Sequence, residues 1–143
     1  MILITGASGL VGSHLTLALL QRGQAVRALY RSQNSLRKVR DLFALYEQEA
    51  LFEKAHWVQA DITDVPALEP HFENIEEVYH CAALISFDPA DEKKLRKINI
   101  EGTANIVNLC LDFKIQKLCY VSSIAALGPP IIEGSAMNES TDW

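Results

Sequence analysis

Short apolar runs alternate with stretches of helical periodicity along most of the chain. Met1–Thr5 reads as a buried strand, and Leu10–Arg22 as a helix that Gly23 ends, as a C-terminal glycine does. Ala25–Tyr30 is a second strand. From Ser35 to about Ala55, Leu36, Val39, Leu42, Phe43, Tyr46 and Ala50 recur at helical spacing and predict one long helical stretch. His56–Ala60 is a third strand, Val65–His71 a short helix and Glu77–His80 a fourth strand. Pro89 to Phe113 is mostly helix, and Gln116–Ser122 is a fifth strand. After Gly128 the pattern dissolves, and Pro129, Pro130, Gly134 and polar residues predict a loop to Trp143.

Repeated strand–helix–strand units of this size imply parallel strands joined by right-handed crossovers. The expected fold is α/β, a Rossmann-like doubly wound sheet of strand order 3-2-1-4-5. Ligands of such sheets bind outside the carboxyl ends of the strands. The residues that follow each strand are therefore where chemistry is expected.

The first strand runs into Thr5-Gly6-Ala7-Ser8-Gly9-Leu10-Val11-Gly12. Glycine has no Cβ, so backbone can approach a ligand closely. The helix that follows points unpaired N–H groups and a positive dipole end at an anion. Taken alone, three glycines are also compatible with a tight turn and nothing more. Here the strand and helix flank them as a phosphate cradle requires. The Gly-x-x-Gly-x-x-Gly spacing resembles the cofactor turn of the short-chain dehydrogenase/reductase superfamily. It is most similar to the extended branch, with its epimerases, dehydratases, hydroxysteroid dehydrogenases and dihydroflavonol-type reductases. The resemblance implies an NAD(P) site along Gly6, Ala7, Ser8, Gly9, Leu10, Val11 and Gly12.

The other strand ends extend the match. The second ends at Tyr30-Arg31-Ser32, where an acid binds the ribose hydroxyls of NAD in this fold. Arg31 stands there instead, and a guanidinium suits a 2′-phosphate. Arg37 and Lys38 follow at the expected start of the next helix, where cations oppose the dipole and a bound phosphate would offset the cost. Either these three cations hold the 2′-phosphate of NADP, or they are solvated surface charges. NADP is the expected cofactor, with NAD the alternative. The third strand ends at Asp61-Ile62-Thr63-Asp64. The resemblance implies that Asp61 and Ile62 hold the adenine, and Asp64 is the better cap for the helix at Val65.

The fourth strand ends at His80-Cys81-Ala82-Ala83, similar to the family's Asn/His-x-Ala-Ala element. Ala82 and Ala83 let a dinucleotide lie against backbone, with Cys81 beside them as a small buried apolar group. His80 reads as a packed or hydrogen-bonded core residue. Asn99-Ile100-Glu101-Gly102-Thr103 is similar to the family's Asn-x-x-Gly-Thr signature. The resemblance places Asn99 among the cofactor-binding residues, where it either orders the helix near the reacting groups or is structural. Gly102 inside a helix costs about 1 kcal/mol against Ala, which points to close packing. The fifth strand ends at Val121-Ser122-Ser123, five residues before Gly128. The resemblance places Val121 and Ser122 along the cofactor, with Ser122 supporting the backbone, and makes Ser123 the catalytic hydroxyl. Such a hydroxyl donates to a substrate carbonyl oxygen.

Composition narrows the class. The chain has 143 residues, 49% hydrophobic and 22% charged, close to one ordinary globular domain. A net charge of −5 argues against a nucleic-acid or acidic-membrane surface. Cys81, Cys110 and Cys119 are odd in number and widely spaced. That suits a reducing cytoplasm and offers no metal spacing. No apolar run approaches ~18 residues, and Met1 leads straight into a strand, so neither a transmembrane helix nor a signal peptide is expected.

One part of the chemistry is missing. The superfamily uses a Tyr-x-x-x-Lys pair, in which the Lys lowers the phenol's pKa from near 10. Tyr30, Tyr46, Tyr79 and Tyr120 are followed four residues on by Asn34, Ala50, Ala83 and Ile124. The expectation is that residues 1–143 are the amino-terminal, cofactor-binding domain of a longer oxidoreductase, cut before its catalytic helix and inactive alone. The whole protein would reduce or oxidise a small molecule and form a homodimer. A nucleotide-sugar epimerase or dehydratase fragment and a non-catalytic NADP sensor are the alternatives.

Overall fold

The computed structural model describes residues 1–127 with 137 and 138. Five parallel strands form one sheet: β1 (Ile2–Thr5), β2 (Val26–Tyr30), β3 (His56–Gln59), β4 (Glu77–His80) and β5 (Lys117–Tyr120). Their order is β3-β2-β1-β4-β5, as the sequence predicts. Helices α1 (Leu10–Gln21), α2 (Gln33–Leu45) and α3 (Glu49–Phe52) follow the first two strands. Helix α4 (Val65–Leu68) runs into a 3₁₀ turn at Glu69–Phe72, between β3 and β4. Helices α5 (Glu92–Leu95) and α6 (Thr103–Asp112) lie between β4 and β5, joined by a π-helical segment at Arg96–Gly102. A 3₁₀ turn at Ile124–Leu127 follows β5.

The central strands read as continuous apolar runs because both faces of the sheet are covered. Ile2, Ile4, Val26 and Ala28 point to one face and pack with Leu17, Leu20, Val39, Phe43 and Phe52. Leu3, Leu29 and Val78 point to the other and meet Leu68, Phe72, Ile106 and Leu109. Each fully buried large side chain, such as Phe43 or Phe72, contributes on the order of 2–3 kcal/mol. All four residues of β5 are exposed at its edge of the sheet.

The long helix expected from Ser35 to Ala55 is two helices. The chain breaks at Glu47, whose φ is +55°. There the Glu47 N–H donates to the Ala44 carbonyl and the Gln48 N–H to that of Phe43, both at 2.9 Å. This left-handed closure stops the helix while the apolar periodicity continues into α3. The same pattern ends α1 at Gly23 (φ +74°) and α6 at Lys114 (φ +54°). Only Gly23 announces it in the sequence. Gly128, the expected loop from Pro129 and residues 139–143 lie outside the described residues.

Candidate functional site

The turn after β1 is built by contacts that exclude side chains. Gly6 has φ +62°, and a Cβ there would sit 2.7 Å from the Ala82 backbone. A Cβ on Gly12 would overlap the Gly6 carbonyl. The Gly9 N–H donates to the Gly6 carbonyl at 2.9 Å, which closes the turn. Gly9 is the N-cap of α1, makes no side-chain cap bond, and no acid occupies the first turn. The first N–H groups of α1 therefore remain available to an anion.

An open cleft of roughly 270 Å³ runs from this turn across the carboxyl ends of the strands. That is close to the lower end of the size range of small-molecule and cofactor sites. From the predicted residues it gathers Gly6, Ser8 and Gly9, Tyr30 and Arg31, Asp61 and Ile62, and Cys81, Ala82 and Ala83. Four strand ends thus meet at one cavity. Leu29, Ser32, Ser35, Ala60 and Ile98 complete the wall and were not predicted.

Other predicted residues lie elsewhere. Ala7 is buried beneath the turn, and Leu10 and Val11 are exposed on the first turn of α1. Gly12 is packed against Gly6. Lys38 lines a shallow groove beside the cleft, with Ser8, Gly9 and Leu10. Arg37 is on neither wall. Helix α2 starts at Gln33 rather than Ser35, so Arg37 and Lys38 sit in its second turn. The dipole cost expected of them is correspondingly small. Val121, Ser122 and Ser123 are exposed just beyond β5, outside the cleft wall.

Asp61 is less free than the sequence suggested. Its Oδ1 accepts from the Thr63 N–H at 2.9 Å and the Thr63 hydroxyl at 2.8 Å. Partial burial pushes its pKa up, but these bonds, then Arg31 and Lys97, hold the carboxyl below its ordinary value. Asp64 caps α4 as expected, accepting from the Ala67 N–H at 3.2 Å. The Asn105 amide donates to the Ile62 carbonyl at 3.0 Å and fixes this corner, a contact with no sequence signal. Gly102 meets Ile62 as well: a Cβ there would sit 2.7 Å from Ile62 Cδ1.

His80 is a core histidine, 1% exposed. Its Nδ1 is 2.6 Å from the Thr5 hydroxyl and its Nε2 is 3.0 Å from that of Thr103. Its ring stacks on Tyr120 at 5.4 Å. Burial pushes its pKa down to about 4, so it is neutral. Thr5 Oγ1 also accepts from the Ala82 N–H at 3.2 Å. The glycine turn, the Ala82–Ala83 wall and α6 are thereby tied through one ring. Burial likewise raises the Cys81 thiol to about 11, and Cys119 adds to it, which makes Cys81 a packing group. Asn99 does not reach the cleft wall. Its Nδ2 donates to the Leu84 carbonyl at 2.9 Å, and its Oδ1 accepts from the Leu84 N–H at 2.8 Å. The wide π-helical turn carries this side chain onto the loop after β4.

A model of the NAD dependent epimerase/dehydratase family matches residues 2–142. The chain belongs to this family. Its 122-residue match to dihydroflavonol 4-reductase of Callistephus chinensis is 35% identical and covers 84% of this chain and 33% of that protein. A 133-residue match to 3 beta-hydroxysteroid dehydrogenase type 7 of Mus musculus is 31% identical and covers 90% and 34%. The UDP-glucose 4-epimerase of Thermus thermophilus, solved in complex with NAD, superposes with a TM-score of 0.75. It is 24% identical over 98% of this chain and 43% of that one, a likeness of fold. The chain spans about a third of the length of the curated relatives it matches. In epimerase/dehydratase terms, the cleft lies where this fold binds its dinucleotide. Among the described residues, no group of His, Cys, Asp and Glu side chains could hold a metal ion. None of their helices is long and apolar enough to cross a membrane.

Proposed function

We propose that this chain is the NADP-binding portion of an oxidoreductase that exchanges hydride between NADP(H) and a carbonyl or alcohol substrate. The observation that carries the reading is the end of β2. No acid stands there, and Arg31, Ser32 and Ser35 form the cleft wall across from the glycine turn. Ser32 caps α2, its Oγ accepting from the Ser35 N–H at 3.2 Å. A guanidinium beside two hydroxyls at a helix start suits a phosphate dianion. The diphosphate would be held by the backbone of Gly9 and the first turn of α1, and the adenine by Ile62 and the Asp61 carboxylate. Ala82 and Ala83 admit the remainder of the dinucleotide. Similarity to dihydroflavonol and hydroxysteroid oxidoreductases supports the same class.

When bound, the cofactor supplies or accepts the hydride. The Ser123 hydroxyl, just past β5, donates to the substrate oxygen, and Asn99 fixes the loop that borders the reaction. A proton donor of the Tyr-x-x-x-Lys kind is not among these 143 residues. On this reading the chain holds the cofactor without turning it over, and turnover needs a proton donor from outside these 143 residues. Three free cysteines suit a reducing cytoplasm. The competing reading is an NAD-dependent epimerase or dehydratase, favoured by the fold likeness to an epimerase solved with NAD.

Titration of the chain with NADPH and NADH separates the two. The proposal predicts tighter NADPH binding and loss or reversal of that preference in Arg31→Asp. A charge-assisted phosphate contact contributes about 1.5–3 kcal/mol, or roughly ten- to a hundredfold in Kd. Equal affinity for both cofactors, or a ratio that ignores Arg31, rejects NADP.

A further inference from the structure

The part of the cleft wall made by Cys81, Ala82 and Ala83 belongs to no strand or helix. Its backbone groups need other partners to hold one position. Two come from the end of β1. The Cys81 N–H donates to the Thr5 carbonyl and the Ala82 N–H to the Thr5 hydroxyl, both at 3.2 Å. The position matters because Ala82 stands against the glycine turn: a Cβ on Gly6 would lie 2.7 Å from the Ala82 backbone. A wall that shifts therefore shifts against the turn that would hold the diphosphate.

Proton accounting gives the contact a direction. Thr5 is fully buried, and its hydroxyl has one proton to donate. The oxygen already accepts from Ala82, and the acceptor it meets among the described residues is His80 Nδ1 at 2.6 Å. Nδ1 is therefore unprotonated. The ring is neutral, so its single N–H is on Nε2, which donates to the Thr103 hydroxyl at 3.0 Å. The bonds run one way, from the Ala82 N–H through Thr5 and His80 to Thr103. With an apolar group in place of Thr103, the buried Nε2–H has no acceptor and costs free energy. The other neutral tautomer carries the proton on Nδ1 and aims it at the Thr5 hydroxyl, whose own proton then loses its acceptor.

We propose that Thr103 is a positioning residue for the dinucleotide: its hydroxyl selects the His80 tautomer that lets Thr5 hold the Ala82 N–H, and so sets the Ala82–Ala83 wall against the glycine turn. This rests on the reading of the cleft as a cofactor site. Thr103 does not line the cleft and acts only through His80 and Thr5. Its neighbour Gly102 meets Ile62, another part of the wall. The start of α6 thus supports the cleft on two sides.

The test compares the wild-type chain with Thr103→Val and Thr103→Ser at pH 7. Long-range ¹H–¹⁵N spectra of the histidine rings read the His80 tautomer, and calorimetry reads NADPH affinity. The expected result is a proton on Nε2 in the wild type and on Nδ1 in Thr103→Val, with NADPH bound at least about fivefold more weakly by Thr103→Val. Thr103→Ser should restore the tautomer and bring the affinity within about twofold of wild type. A merely structural role would lower the melting temperature of Thr103→Val and leave the tautomer and the NADPH affinity of the folded chain unchanged, which overturns the proposal. A wild-type proton on Nδ1 overturns it without any variant, so the test stands even if Thr103→Val does not fold. A wild-type chain that binds neither NADPH nor NADH rejects the cofactor reading, and this inference falls with it. Cofactor binding that is equally tight in Thr103→Val rejects this inference alone.

Discussion

His80 makes a quantitative prediction about acid stability. The ring is neutral in the folded chain with a pKa of about 4, against 6.5 for an ordinary histidine. Between those values the unfolded chain binds a proton that the folded chain refuses. Stability therefore falls as pH drops from about 6.5 to 4 and is indifferent to His80 below that. The full effect is roughly 3 kcal/mol, most of it lost by pH 4.5. The perturbation is His80→Gln, which removes the titration and keeps a polar side chain. Urea unfolding of both proteins at pH 7 and pH 4.5 isolates the term, because every other titrating group is shared. At pH 7 the wild type is the more stable, since the variant disturbs the bonds to Thr5 and Thr103. The gap between the two proteins should shrink by roughly 2 to 3 kcal/mol at pH 4.5. A gap that stays constant refutes a buried neutral imidazole at this position.

Gly12→Ala should abolish cofactor binding and lower stability, because the new methyl meets the Gly6 carbonyl; calorimetry with NADPH and a thermal melt check both. Gly23→Ala is the contrast: nothing lies within 4 Å, so only the left-handed φ is penalised, by about 1 kcal/mol, with NADPH affinity unchanged. Glu47→Gly should stabilise the chain by up to about 1 kcal/mol, since Glu47 pays for a positive φ that glycine adopts freely, and a urea midpoint reads this out. Gly102→Ala should weaken NADPH binding through Ile62, and Ile62→Ala in the same chain should cost less than the two singles summed, as a double-mutant cycle in unfolding free energy would show.

The sheet was legible because each strand is a short apolar run punctuated by turn residues, and alternation with helices dictates parallel order. The break at Glu47 was not legible. The apolar period runs on from α2 into α3, and a non-glycine residue in the left-handed region leaves no mark in the sequence. The strand-end rule located most of the cleft wall, from Gly6 and Gly9 through Arg31 and Asp61 to Ala82. It missed Ser32 and Ser35, although Ser-x-x-Ser at the start of a helical pattern is a capping signal. Thr103 and Asn105 reach the site only through tertiary packing of α6, which no local pattern encodes. Asn99 illustrates the opposite case, because the motif was seen and its contact to Leu84 was not.

The most direct measurement is a ¹H–¹⁵N correlation spectrum of the chain titrated with 2′,5′-ADP and, separately, with 5′-AMP. If the cleft is an NADP site, 2′,5′-ADP shifts the amides of Gly9 and Leu10 at the glycine turn and those of Ser32 and Ser35 at the start of α2, while 5′-AMP leaves Ser32 and Ser35 unmoved. Identical shifts with both ligands, or shifts confined to residues away from these strand ends, would contradict the account.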